Sequence, residues 1–276
     1  MEPSFSLRRL WFLLRADFLA ERRAQLWFLG LTAASLFLKS LVQMLYGYVD
    51  LSLNQELFGY ALFIWGILAT SLAFRQLDDR ASREAYLLLP ASALEKLLAR
   101  LLPVTLGFAI ALPIYILVLS FLMESFNQVV FGTSRPLFDP FDPGIWKLFG
   151  YYLILQSPFF LGAVWFGRFS FILTALALFG FHIVLALLVL ATAWLAVGTP
   201  GWQFGEAPAI HPGLHLENFD VLDFLFYGIA DNIFVNLLNP DWDTQATILR
   251  VVLVLLPPVL WWIAWLRLRE LQADGI

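Results

Sequence analysis

Between Phe169 and Val197 the chain runs 29 residues without one charged side chain. Such a run is too long and too apolar for a helix of a water-soluble core. About 20 mostly apolar residues suffice to cross a bilayer, because each rises 1.5 Å through a hydrocarbon layer about 30 Å thick. At 29 residues the segment must tilt or extend beyond the hydrocarbon. Shorter runs of the same kind cover 26–46, 57–74, 101–123, 148–166 and 251–265. The last spans only if it begins near Ala246 with Arg250 reaching outward, and Pro257-Pro258 is expected to bend it. The predicted fold is all-α: a polytopic membrane helix bundle of six transmembrane helices, with residues 1–276 forming a single transmembrane domain.

Composition agrees where it bears on the class. Apolar residues make up 61% of the chain and charged residues 14%, against about a quarter charged in ordinary globular domains. With no cysteine, disulfides, thiolate metal sites and cysteine nucleophiles are excluded. No basic patch interleaved with aromatics points to nucleic acid. Arg8-Arg9 and the five apolar residues after them do not predict a cleavable signal, because Arg15, Asp17, Glu21, Arg22 and Arg23 interrupt the run.

Charge placement orients the six helices. Arg8, Arg9, Arg15, Arg22 and Arg23 precede the first; Arg75, Arg80, Arg83, Lys96 and Arg100 lie between the second and third. Arg168 sits between the fourth and fifth, and Arg267 and Arg269 follow the sixth. These 13 of the 17 basic residues fall on one side when six helices are threaded, whereas 169–249 holds none. Basic loops are retained in the cytoplasm, which predicts cytoplasmic termini in a multi-pass protein of the cell membrane, specifically a bacterial inner membrane. Leu7, Leu10, Trp11, Leu14 and Phe18 recur at helical spacing, so 5–20 reads as an amphipathic helix in the interface; the alternative is an extension of the first span. On the opposite side, 124–146 and 198–245 form external loops. The second carries Glu206, Glu217, Asp220, Asp223, Asp231, Asp241 and Asp243 without a basic residue.

The connector 75–100 is the most informative polar segment. Pro90 breaks a short charged helix, Ser92 starts another, and Glu95 three residues on completes a capping box. A charged helix, a break and a capped re-entry could transmit force from a partner; they equally describe a solvated hairpin connector. At membrane depth stand Lys39, Gln43, Gln156 and His182. Ionisable groups there raise a functional suspicion. Yet Lys39 can snorkel to the headgroups, and Gln156 and His182 can serve as polar glue between helices. His211 and His215, near Glu206, Glu217 and Asp220, are weak metal candidates, because Pro212-Gly213 between them breaks helical register. No G-x-S-x-G or H-E-x-x-H occurs, so no enzyme activity and no cofactor are expected.

The connector resembles the loop between the second and third helices of ATP-binding cassette (ABC) exporter permeases of the type-2 class. The residues that carry the resemblance are Asp78, Arg80, Arg83, Glu84, Leu87, Leu88, Pro90, Ser92, Glu95 and Lys96. The general plan is also similar: an interfacial N-terminal helix, six spans and an enlarged external loop before the last. Ala81-Ser82 departs from the Gly-Thr common in that family. The resemblance implies a transport subunit without an ATPase of its own, in keeping with the absence of a G-x-x-x-x-G-K-[ST] phosphate loop. It further implies a separate ABC ATPase subunit docking on a coupling helix at 78–88, and a second permease half, as homo- or heterodimer. Two other expectations stay open: a membrane scaffold that transports nothing, and a membrane enzyme using the acidic external loop.

Overall fold

The computed structural model describes residues 5–46, 53–132, 136–197 and 244–274. These residues are all-helical, without a strand, and six of their helices are long and apolar enough to cross a bilayer. Two compact units contain them: Met1–Thr174 with Leu255–Ile276, and Ala175–Val254.

In the first unit, α1 (Leu7–Ala20) and α2 (Arg22–Leu45) follow each other with only Glu21 between them. Leu10 of α1 is buried, whereas Leu7, Trp11, Phe12, Phe18 and Leu19 are exposed. A helix with one edge on protein and a broad apolar flank left open is what the bilayer interface accommodates. The second span is α3 (Leu53–Tyr60), a π-helical turn (Ala61–Trp65) and α4 (Gly66–Ser71). A 3₁₀ turn (Arg75–Leu77) and α5 (Arg80–Leu87) lead to α6 (Ala93–Leu102), which continues through a π turn (Pro103–Gly107) into α7 (Phe108–Phe131). This third candidate span covers 39 residues, or about 58 Å of helix, so it must project well beyond the hydrocarbon.

The stretch expected as an external loop at 124–146 is therefore partly helix. Glu124 and Asn127 are polar but buried, and the Asn127 amide donates to Glu124 at 3.2 Å and to Ser40 of α2 at 3.2 Å. Those partners let α7 continue until Gly132, whose left-handed φ of 69° closes it. Asp142 caps α8 (Pro143–Trp165), with Pro143 at the first position, where no N–H is needed. After Gly167 turns the chain at φ 61°, a 3₁₀ turn (Gly167–Phe169) leads into α9 (Ser170–Val197). The last helix, α10 (Thr244–Asp274), is twice the length of the apolar run that announced it, and Pro257 and Pro258 lie inside it.

Tyr152 of α8 is fully buried between the two π turns. Its hydroxyl donates to the Val104 carbonyl at 2.6 Å, inside the second wide turn. Its ring lies against Gly66, immediately after the first, where a Cβ would come within 2.5 Å of it. Pro103 explains the second wide turn, since it supplies no N–H and crowds the preceding carbonyl. At the start of α9, a Cβ on Gly162 would fall 1.8 Å from the Thr174 hydroxyl. The unit's core gathers Phe74, Leu77, Tyr86, Leu97, Phe160 and Leu268 from four spans and the connector. Of the second unit, the described parts are the rest of α9 and the first turns of α10; Leu176, Phe179, Leu187 and Val254 are exposed there, as lipid-facing side chains would be.

Gly66→Ala is expected to destabilise the chain by about 1–3 kcal/mol through overpacking against the Tyr152 ring. Gly30→Ala, whose Cβ meets nothing within 4 Å, should leave thermal unfolding in detergent unchanged or slightly raised. Equal melting temperatures for the two variants would refute the close approach of α4 and α8.

Candidate functional site

The two helices of the connector are tied at their ends by hydrogen bonds. Asp79, in extended conformation, accepts from the Ala81 N–H at 2.9 Å and from the Ser82 N–H and hydroxyl, so it caps α5. These bonds, the Ser82 hydroxyl first, hold the Asp79 carboxyl below its ordinary value. Asp78 is half-buried beside Gly167, and burial raises its carboxyl against the pull of Arg75 and Arg168. The Arg83 guanidinium donates twice to the Leu77 carbonyl, at 3.1 and 2.8 Å, folding α5 back on the 3₁₀ turn.

The outer face of α5 is different. Arg80 and Glu84 are 93% and 61% exposed and pair with each other at 3.0 Å, a one-turn surface pair that contributes little to stability. Tyr86, on the inner face, is buried, and that burial pushes its phenol up to about 12. Lys96 donates to the Leu87 carbonyl at 2.9 Å, satisfying one of the orphan acceptors at the end of α5. Pro90 is exposed, and the Ala91 carbonyl behind it accepts from Gln272 of α10 at 3.3 Å.

The capping box is present: Glu95 N–H donates to Ser92 Oγ at 3.2 Å, and Glu95 Oε2 accepts from Ser92 N–H at 2.8 Å. Glu95 does more than cap. It is fully buried, and its other oxygen accepts from Ser6 N–H and from Arg9 at 3.0 Å. One carboxylate thus starts α6 and pins the beginning of α1. A second clasp lies farther along. Arg100, 5% exposed, donates to Asp17 at 2.8 Å and to Glu21 at 3.3 Å, while its guanidinium and the Lys96 ammonium both face the Tyr86 ring, at 5.9 and 5.5 Å. Burial raises the Asp17 carboxyl, and Arg100 opposes that with a smaller effect. The folded chain therefore holds this proton more tightly than the unfolded one. That contribution is full below the ordinary value and lost as pH rises through the raised one.

Of the residues proposed from sequence for coupling, Asp78, Arg80, Arg83, Glu84 and Pro90 lie on or next to the exposed face. Ser92 and Glu95 lie beneath it as anchors. The Arg100–Asp17–Glu21 clasp was not legible, because its partners are about 80 positions apart. Its only local trace is that Asp17 and Glu21 are four apart and so share one side of α1.

At membrane depth the readings divide. Lys39 pairs across helices with Glu56 at 2.6 Å instead of snorkelling alone. Gln156 is fully buried with neither amide atom hydrogen-bonded among the described residues, so it is not interhelical glue there. His182 is half-buried on α9 in the second unit. The side chain of Gln43, the pair His211 and His215, and the acidic loop up to Asp243 lie outside the described residues. Among the described residues no three His, Cys, Asp or Glu gather as a metal would require.

Fold and site together define a multi-pass helical membrane protein whose charged connector and N-terminal helix form one clasped assembly. No protein-family model, no curated protein and no solved structure matches the chain.

Arg100→Ala should cost about 1–3 kcal/mol, because Asp17 loses its partner in a half-dry setting and Glu21 is already exposed. Since the chain has no cysteine, Leu10→Cys offers a unique probe. Its thiol should label slowly in the native chain and quickly once Glu95→Ala and Arg100→Ala release α1; slow labelling in all backgrounds would sink the clasp. Asp17→Asn, which mimics the protonated carboxyl, should keep the thiol protected and flatten the fall in thermal stability that burial of this carboxyl implies as pH rises through its raised value.

Proposed function

We propose that the chain is the membrane-spanning permease subunit of an ATP-driven transporter, working as an exporter, with α5 receiving a separate ABC ATPase subunit. The observation that carries this reading is the two-faced character of α5. Its outer face offers exposed Arg80 and Glu84, while Tyr86 buries its inner face and Arg83 and Lys96 tie its two ends to backbone carbonyls. A docking element must be both accessible and stiff, since a floppy loop would absorb a partner's motion instead of passing it on. From α5 a push travels through Lys96 and the Ser92–Glu95 cap into the 39-residue helix that crosses the membrane. The same cap carries α1, so the interfacial helix would move with the third span.

The resemblance of the connector to type-2 exporter permeases supports this reading, in which a separate subunit supplies the phosphate loop that these 276 residues do not contain. The path for cargo would lie between two permease halves. The distribution of arginines supports a cytoplasmic α5 and cytoplasmic termini, and the bacterial inner membrane is the membrane that suits this plan.

The test uses the face that holds nothing else. Arg80→Glu with Glu84→Arg reverses the exposed pair without touching an anchor. Affinity-purified from membranes, the native chain should bring down a subunit with ATPase activity, and the reversed variant should lose at least tenfold of it while melting at the same temperature. An undiminished yield, or the absence of any ATPase from the native preparation, would overturn the proposal. Reporter tags beside Arg80 and in the 198–243 loop should fall in opposite compartments.

A further inference from the structure

Arg8, Arg15 and Arg22 recur at intervals of seven residues, about two helical turns, and Arg23 follows the last of them. Only Glu21 separates α1 from α2. Its N–H donates to the Asp17 carbonyl at 3.0 Å and its carbonyl accepts from Gln25 N–H at 3.1 Å, so the helical path continues across it. All four arginines are exposed. Arg8 lies over the Phe12 ring at 5.8 Å. Among the described residues, no ion pair engages Arg15, Arg22 or Arg23. All of these residues belong to the first unit.

The clasps on the other side of α1 decide where this stripe points. Leu10 is buried, and Asp17 reaches Arg100, so these two residues mark the edge that lies against α6. Arg8 and Arg15 each stand two positions before them, about 200° around the helix, and so face away. The acids of this segment, Asp17 and Glu21, are both taken by Arg100, which leaves the stripe basic. Exposed apolar side chains border it, Trp11 and Phe18 along one flank and Phe12 and Leu19 along the other. The first candidate span begins at Arg22, so Arg22 and Arg23 stand where the chain enters hydrocarbon.

We infer that this face of α1 and the start of α2 binds anionic phospholipids of the leaflet on which α1 lies. Arg15, Arg22 and Arg23 take the phosphates, and the flanking rings and leucine lie against the glycerol and upper acyl region. The apolar flanks decide for a lipid over a soluble anion, which would use the arginines and leave the flanks bare. The position of Arg22 and Arg23 at the mouth of a span decides for a lipid over an acidic protein, because headgroups already fill that level. The inference rests on membrane insertion alone and holds whether or not the chain transports. Since Arg100 grips Asp17 and Glu21, lipid held by α1 bears on α6 through the same clasp.

The experiment attaches a bimane dye to Leu26→Cys in the full chain, a unique thiol at an exposed position one turn beyond Arg22. Phosphatidylcholine nanodiscs carry a minor fraction of acyl-spin-labelled lipid, either phosphatidylglycerol or phosphatidylcholine, which quenches the dye on contact. Quenching should show phosphatidylglycerol enriched about fivefold or more beside the dye. Arg22→Gln with Arg23→Gln should bring the two lipids within about twofold of each other. Arg75→Gln with Arg168→Gln, equal in charge and exposed on the connector and the turn after α8, should keep the enrichment. No enrichment in the native chain, or equal enrichment in all three chains, would overturn the site. Equal loss in both variants would overturn it in favour of diffuse charge attraction. Displacement of the lipid by inorganic phosphate or by polyglutamate, at constant ionic strength, would overturn it in favour of a soluble anion or an acidic partner. If the Gln pair fails to fold, the native chain decides. Raising NaCl from about 0.05 M to about 0.5 M should screen away most of the enrichment, and an enrichment indifferent to salt overturns the assignment.

Discussion

In hydrocarbon no water is present to bond a backbone N–H or carbonyl, so each crossing segment must satisfy its own ladder. Everything else in this chain follows from that condition or from a local repair of it. The π turns are such repairs. Pro103 removes a donor in mid-helix, the ladder widens over Pro103–Gly107, and the Tyr152 hydroxyl bonds a carbonyl of the widened turn. Thr70 and Thr105 return their hydroxyls to carbonyls one turn back, at 2.7 Å each, so that their burial leaves those oxygens paired.

Where the chain leaves hydrocarbon, the balance shifts from backbone to charge. Two carboxylates of α1 and α2 territory, Asp17 and Glu21, meet Arg100, and one carboxylate of α6 meets Arg9. Buried ion pairs are weak sources of stability, since desolvation offsets much of the attraction. Their effect here is positional. An apolar contact would let α1 slide along α6, whereas two clasps at opposite ends of α1 allow one register. On the proposed reading, that register is what would make the interfacial helix follow the third span.

The connector combines both regimes within 26 residues. Its outer face is solvated and cheap to change, and its inner face is part of the core that Phe74, Leu97 and Leu268 share. Polar residues that look alike in sequence therefore divide by depth. The side chains of Arg80 and Glu84 pair with each other on the exposed face, while Ser92, Glu95, Lys96 and Arg100 hold other elements in place.

Six spans, the capped re-entry at Ser92 and the polar break at the connector were readable from residue order, because apolar run length and helix capping depend on neighbours within about one turn. Boundaries were less so: α7 outruns its apolar stretch because Ser40 supplies a partner for Asn127 from another helix. The same reason explains Lys39, which finds Glu56 17 positions away, and the Arg100 clasp, whose acids come from a different helix. Residue order determined that this polypeptide dissolves in lipid and where it surfaces. Which charges are anchors and which face outward was decided only by packing, because burial is a property of what surrounds a side chain and not of the chain around it.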